Sequence, residues 1–159
     1  MDDGLDGPGA VRGAFDDIRD ALRRHGRAAD PAGPAVLVQP QRTGGTELLV
    51  GVVRDPAWGL TLAVGLGGVR VEVLADSALR LLPVTGAGAR SALSELRGAR
   101  LLDGARGTEP ADLDAVADTV VRVTGLARSL GPRLESVEIN PLLVAGGRVE
   151  ALDALITWD

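Results

Sequence analysis

A glycine pair near the C-terminus, Gly146-Gly147, constrains this chain more than any other feature. It lies within residues 135–153, ESVEINPLLVAGGRVEALD, between two strand-like runs. Two-residue hairpin loops need positive φ, which glycine adopts without a Cβ penalty. With this pair as the loop, Ala145 faces Arg148, and every further pair keeps the same sum of residue numbers. Asn140 then falls opposite Asp153. Opposed Cβ atoms lie roughly 4.5–5.5 Å apart, so an amide oxygen and a carboxylate oxygen converge, a donor pair suited to Mg²⁺. Glu138 precedes Asn140 by two residues and points to the same face. A structural reading stands beside the metal reading. Asn-Pro is a common turn dipeptide, and Pro141 restricts its run to an edge or bulged strand.

The rest of the chain supplies one domain around this hairpin. Met1–Gly9 reads as a disordered N-terminus and residues 10–159 as a single lobe. Val11, Phe15, Ile18 and Leu22 mark one face of an amphipathic helix over Ala10–His25. Short strands are expected at Ala35–Gln39, Thr46–Arg54, Leu60–Val64, Val69–Leu74 and Ala78–Leu82. Helices are expected at Gly88–Arg97 and Pro110–Leu130, the second ended by Gly131-Pro132. Strands follow strands and helices follow helices, which is not the alternation of a doubly wound sheet. The fold class is therefore α+β, a mostly antiparallel sheet with helices packed on one face.

Composition excludes several functions. The chain has no cysteine, so disulfides, thiolate metal sites and thiol nucleophiles are out. A formal net charge of −5 argues against a nonspecific nucleic-acid surface. No apolar run is long enough for a membrane span, and the acidic start MDDGLDGPGA is unlike a signal peptide. A cytoplasmic location is expected. All 17 basic residues are arginine, so no lysine is present to grip a phosphate.

Polar groups that could serve chemistry come from several strands: Gln39, Glu47, Arg54, Asp55, Glu72, Glu138, Asn140 and Asp153, with Arg106-Gly107 in a loop. Acids, arginines and glycines together suit a Mg-nucleotide site, where oxygens hold metal, guanidinium binds phosphate, and glycine permits close backbone approach. Each has a bland alternative. GLGG, residues 65–68, is more often a hairpin turn than a phosphate cradle and fits neither the Walker A nor the dinucleotide pattern. Arg54-Asp55 could be a local ion pair at a turn, and Glu47 and Glu72 ordinary strand residues.

Four segments taken together resemble a known family: residues 36–59, VLVQPQRTGGTELLVGVVRDPAWG; 64–83, VGLGGVRVEVLADSALRLLP; 101–113, LLDGARGTEPADL; and VEINPLLV with VEALDA near the C-terminus. The chain resembles the C-terminal part of the ATP-grasp domain of NDP-forming acyl-CoA synthetases, the ADP-forming acetate–CoA ligase type. It is more distantly similar to the succinyl-CoA synthetase β subunit. The resemblance implies Mg²⁺ and ATP or ADP as cofactors, and transfer of phosphate between nucleotide and a histidine on a mobile loop. It implies that Asn140 and Asp153 hold Mg²⁺, with Glu138 beside them. It places Val38 and Gln39 at the adenine, Glu47 near the nucleotide, and Arg54 and Asp55 beside the phosphates. Gly67, Gly68 and Glu72 would shape the surface that receives the phosphohistidine, with Arg54 and Glu72 the candidates for a catalytic role.

The sequence departs from the family where the first ATP-grasp lobe, with its lysine, would precede Val36. The expected partners are that missing lobe and the CoA-binding and phosphohistidine domains, which leaves the chain inactive alone. The alternative is a degenerate ATP-grasp remnant acting as an interaction or regulatory module.

Overall fold

The computed structural model describes residues 4–24, 36–67, 76–104 and 109–159. The chain divides into two compact units, Met1–Thr43 and Gly44–Asp159. In the first, α1 runs from Gly7 to Arg24 and so begins inside the stretch expected to be disordered. Pro8 suits a first helical turn, because its missing N–H has no intrahelical partner there anyway. Ala14 is buried, while Val11, Phe15 and Ile18 are each about two-fifths exposed. The expected strand at 35–39 is not formed: residues 36–40 have no regular structure, and Leu37 and Val38 are exposed. Among the described residues of this unit no strand exists to pair with it, and hydrophobic character alone does not make a strand.

The second unit is a six-stranded antiparallel sheet with helices on one face. Its elements are β1 (Thr46–Asp55), β2 (Gly59–Leu66), β3 (Ser77–Leu81), α2 (Gly86–Ser94), α3 (Leu113–Ser129), β4 (Leu134–Ala145), β5 (Arg148–Ala151) and β6 (Ala154–Trp158). A 3₁₀ turn, Ala99–Leu101, lies between α2 and α3. The strand order is β3-β2-β1-β4-β5, with β6 continuing along β4 beyond β5. The α+β class read from the element order is the fold observed. The segment expected as a strand at Val69–Leu74 lies outside the described residues.

Alternation within β1 explains why one face is covered. Leu48, Val50 and Val52 are buried, and they pack with Leu62 and Val64 of β2 and Val116 and Val120 of α3 in the main core. Period 2 sends Glu47, Leu49, Gly51 and Val53 to the opposite face. Helix starts follow side-chain caps. Thr85 Oγ1 accepts from Gly88 N–H at 3.1 Å, and Asp112 Oδ1 accepts from Asp114 and Ala115 N–H at 3.0 and 3.1 Å. These caps begin α2 and α3 at Gly86 and Leu113 rather than at the expected Gly88 and Pro110.

Candidate metal and nucleotide site

The hairpin register is the one the glycine pair dictates. Ala145 pairs with Arg148, and Val144, Leu143 and Leu142 pair with Val149, Glu150 and Ala151. The same sum continues past a short break between β5 and β6. Asn140 N–H donates to Asp153 O at 3.3 Å, and Leu152 N–H donates to Pro141 O at 3.0 Å. Beyond it Ile139 pairs with Ala154, Glu138 with Leu155, Val137 with Ile156 and Ser136 with Thr157. The hydroxyls of Ser136 and Thr157 meet at 2.7 Å across that last pair. Only the first turn residue takes positive φ, Gly146 at 57°. That is the pattern of a II′ turn, not I′.

Pro141 sits in a central strand because the ladder is interrupted there. On the β1 side the register shifts between Leu48, which pairs with Leu142, and Val50, which pairs with Ile139. Asn140 and Pro141 therefore oppose Leu49 alone, a bulge. A bulge accommodates a residue without an N–H and re-aims the side chain beside it.

Asn140 and Glu138 share a face. Asn140 Nδ2 donates to Glu138 Oε1 at 3.2 Å. Asn140 and Asp153 are exposed. Asp153 Oδ1 accepts from Ala154 N–H at 2.8 Å, leaving its second oxygen outside that bond. Glu47, also exposed, belongs to the same sheet face through the pairing of Gly51 with Glu138, four residues along β1. The position of Glu47 is held from both sides. Its own carbonyl accepts from Gly67 N–H at 2.6 Å, and the neighbouring Thr46 Oγ1 donates to Leu101 O at 3.2 Å. A Cβ on Gly67 would stand 2.9 Å from the Glu47 carbonyl carbon, so the approach requires glycine. The chemistry offered is that of hard oxygens on an open face. No group of three or more His, Cys, Asp or Glu capable of holding a metal occurs among the described residues. Two protein oxygens fit Mg²⁺, which keeps several waters and takes one or two carboxylates together with phosphate oxygens.

Arg54 and Asp55 are not brought to this cluster. They end β1, five and six residues from Leu49, roughly 17–20 Å along the strand. The Arg54 guanidinium donates to Leu134 O at 2.8 Å and to Gly131 O at 2.9 Å, tying β1 to the turn entering β4. Asp55 Oδ1 accepts from Ala57 and Trp58 N–H at 2.8 and 2.9 Å, closing the β1–β2 turn. Both side chains act within the fold's frame. Val38 and Gln39 lie in the first unit, exposed and irregular. Gly68, Glu72, Arg106 and Gly107 lie outside the described residues.

One fixed acid carries no mark in the sequence pattern. Asp76 is 7% exposed, and its two oxygens accept from Arg97 and Gly98 N–H at 2.8 and 2.9 Å. Its partners are more than twenty residues away, beyond the reach of any local periodicity.

The ATP-grasp domain profile matches residues 3–157. The chain belongs to the ATP-grasp family. Among ATP-grasp relatives, the acetate–CoA ligase (ADP-forming) II subunit beta of Pyrococcus furiosus is 34% identical over 86% of this chain and 57% of its own length. The acetate–CoA ligase (ADP-forming) I subunit beta of the same organism is 36% identical over 91% of this chain and 61% of its own. This chain thus spans about three-fifths of those subunits. Among solved ATP-grasp structures, the dinucleotide-forming acetyl-coenzyme A synthetase 1 of Ca. Korarchaeum cryptofilum, in complex with coenzyme A and Mg-AMPPCP, superposes with a TM-score of 0.82 at 30% identity. The match covers 99% of this chain and 67% of that one. The same enzyme with a phosphorylated phosphohistidine segment gives 0.86 at 32% identity, over 99% and 69%.

Proposed function

We propose that this chain is the Mg-nucleotide-binding part of an ADP-forming acyl-CoA synthetase, working with partner domains or subunits. The reaction is acid, CoA and ATP giving acyl-CoA, ADP and phosphate, through a phosphohistidine carried by a partner. The observation that carries this reading is the unbroken register that sets Asn140 opposite Asp153 on an open sheet face. It is supported by likeness to a synthetase whose solved structure contains Mg-AMPPCP.

In this reading Asn140 and Asp153 supply two metal oxygens, with Glu138 beside them. Mg²⁺, when bound, neutralises charge on the phosphate oxygens during phosphoryl transfer. The sheet holds those oxygens on rigid strands, and the bulge at Asn140 aims the amide away from the ladder. Glu47 borders the nucleotide further along the same face. Gly67, with Gly68 and Glu72 following it, shapes the approach of the phosphohistidine. Arg54 and Asp55 end β1, away from Asn140 and Asp153, and are left out of the metal site in this reading. Positioning and electrostatics supply most of phosphoryl-transfer catalysis, so this part alone turns over poorly.

The test is calorimetric titration of the chain with ADP and ATP, with and without Mg²⁺. Mg²⁺-dependent binding that is lost in Asn140→Ala and Asp153→Ala, both still folded by circular dichroism, is the expected result. Binding that survives both substitutions would sink the assignment. The alternative reading is a non-catalytic interaction module. It predicts no heat from a folded chain even at millimolar nucleotide.

A further inference from the structure

We infer that Asp76 is a positioning residue: from the helix side of the sheet it fixes where Glu47 stands on the open side. The inference rests on the nucleotide reading of Glu47 and gives a role to a buried acid that the metal site does not use.

Asp76 is not placed to meet the nucleotide itself. It is 7% exposed and precedes β3, whose Ser77 pairs with Gly65. Gly65 in turn pairs with Leu49 of β1, so two strand spacings, roughly 10 Å, separate Asp76 from β1. Asp76 is in phase with buried Ala78 and so faces the helices, whereas Leu79 and Leu81 lie exposed on the open face with Glu47.

Both supports of the Glu47 backbone lead back to this acid. On one side, the Asp76 oxygens accept from Arg97 and Gly98 N–H at 2.8 and 2.9 Å. Gly98 O accepts from Leu101 N–H at 2.9 Å, which closes the 3₁₀ turn. Leu101 O accepts from Thr46 Oγ1 at 3.2 Å, and Thr46 is bonded directly to Glu47. On the other side, Glu47 O accepts from Gly67 N–H at 2.6 Å, just past the end of β2. That end is packed against the same clasp. A Cβ on Gly65 would stand 2.9 Å from Asp76 O, and one on Gly98 would strike the Leu66 side chain at 2.2 Å.

The clasp requires a carboxylate. Two N–H groups converge on it, and each takes one oxygen. Asparagine has the same shape but one oxygen, and its amide would set a donor against the second N–H. A buried N–H without a partner costs its bond and its desolvation. The segment after α2 then shifts towards another acceptor, and Thr46 moves with Leu101.

The test is a double-mutant cycle. Mg-ADP affinity is measured by calorimetric titration for the parent, Asp76→Asn, Glu47→Ala and the double variant. Asp76→Asn is expected to lower affinity about threefold or more in the parent, and to have no further effect once Glu47 is replaced. An equal loss in both backgrounds would make Asp76 a general support of the fold and overturn the inference. No loss in either would overturn it as well. Unchanged affinity in Glu47→Ala would show that the nucleotide reading of Glu47 is wrong, and the inference falls with it. A parent that binds no Mg-ADP fails the proposed function, and the positioning is then decided by a readout that needs no nucleotide.

That readout is amide hydrogen exchange at Gly67, whose N–H reports directly on Glu47 O. Thr46→Val, which removes only the hydroxyl tie to Leu101, serves beside Asp76→Asn and replaces it if the latter does not fold. Exchange at Gly67 is expected to quicken about threefold or more in each, while amides in the middle of β1 and β2 keep the parent rate. An unchanged Gly67 rate, or equal quickening throughout both strands, would overturn the inference.

Discussion

Arg54 and Asn140 show how differently two polar side chains of adjacent strands are used. The Arg54 guanidinium bonds the carbonyls of Gly131 and Leu134, and Leu134 is fully buried. Charged hydrogen bonds contribute about 1.5–3 kcal/mol, and a carbonyl stripped of its donor loses that support. Arg54→Ala is expected to lower unfolding free energy by about 1–3 kcal/mol in urea titration while leaving nucleotide binding unchanged. Loss of nucleotide binding without loss of stability would return Arg54 to the phosphate site. The Asn140 side chain bonds sideways, to Glu138, and is exposed, which suits a group that serves something outside the chain. The type of residue was visible in the sequence for both. The direction each side chain takes was not, because it depends on a turn eighty residues away in one case and on a bulge in the other.

At the level of elements, glycines decide where strands approach closely. Gly45 has φ 91°, and a Cβ there would stand 2.6 Å from Val144 O, a main-chain atom of β4 that cannot swing aside. Gly45→Ala combines left-handed strain with that clash, and a loss of at least about 2 kcal/mol is expected by chemical denaturation. A near-neutral result would mean that residues 44–45 do not seat against β4. Between α2 and β3, Arg80 bonds Glu95 at 2.5 Å, and Ser91 Oγ donates to the same carboxylate at 3.0 Å. Arg80 foremost, then Ser91, holds the Glu95 carboxyl below its ordinary range. A lowered folded value contributes stability above the unfolded value, and that contribution is lost as pH falls through the folded one. The stability gap between parent and Glu95→Gln should therefore close as pH drops from about 6 to about 3. The gap is small, since the pair is exposed. A gap that widens on acidification would assign the stabilisation to another acid.

For the whole molecule, the two units differ in what holds them. Every member of the main core, from Leu48 to Val144, belongs to the second unit. The polypeptide 44–159 is accordingly expected to fold alone, with a single cooperative urea transition and a dispersed NMR spectrum. A fragment that is unfolded in water would show that residues 1–43 contribute to the sheet's stability. Within this unit Leu48 touches both β2 and β4 partners in the register, and its truncation to Ala is expected to cost about 2–5 kcal/mol. The sheet face away from α2 and α3 exposes Val53, Leu79, Leu81 and Leu155 alongside Glu47 and Asn140. In the proposed function that mixture of apolar and oxygen-bearing groups meets nucleotide and partner.

The sequence by itself determined the hairpin, the register along it, and the antiparallel α+β class. A two-residue glycine loop fixes the sum of paired residue numbers, and period-2 burial separates Leu48, Val50 and Val52 from Glu47 and Val53. These are local rules, carried by adjacent residues. Tertiary structure alone decided that 36–40 is not a strand, that Arg54 and Asp55 serve the frame, and that Asp76 clasps the segment after α2. Each depends on a partner that is distant in sequence: a neighbouring strand, a carbonyl turn, or two backbone N–H groups. Hydrophobic pattern says that a residue wants a partner, and only the folded chain says which partner is within reach.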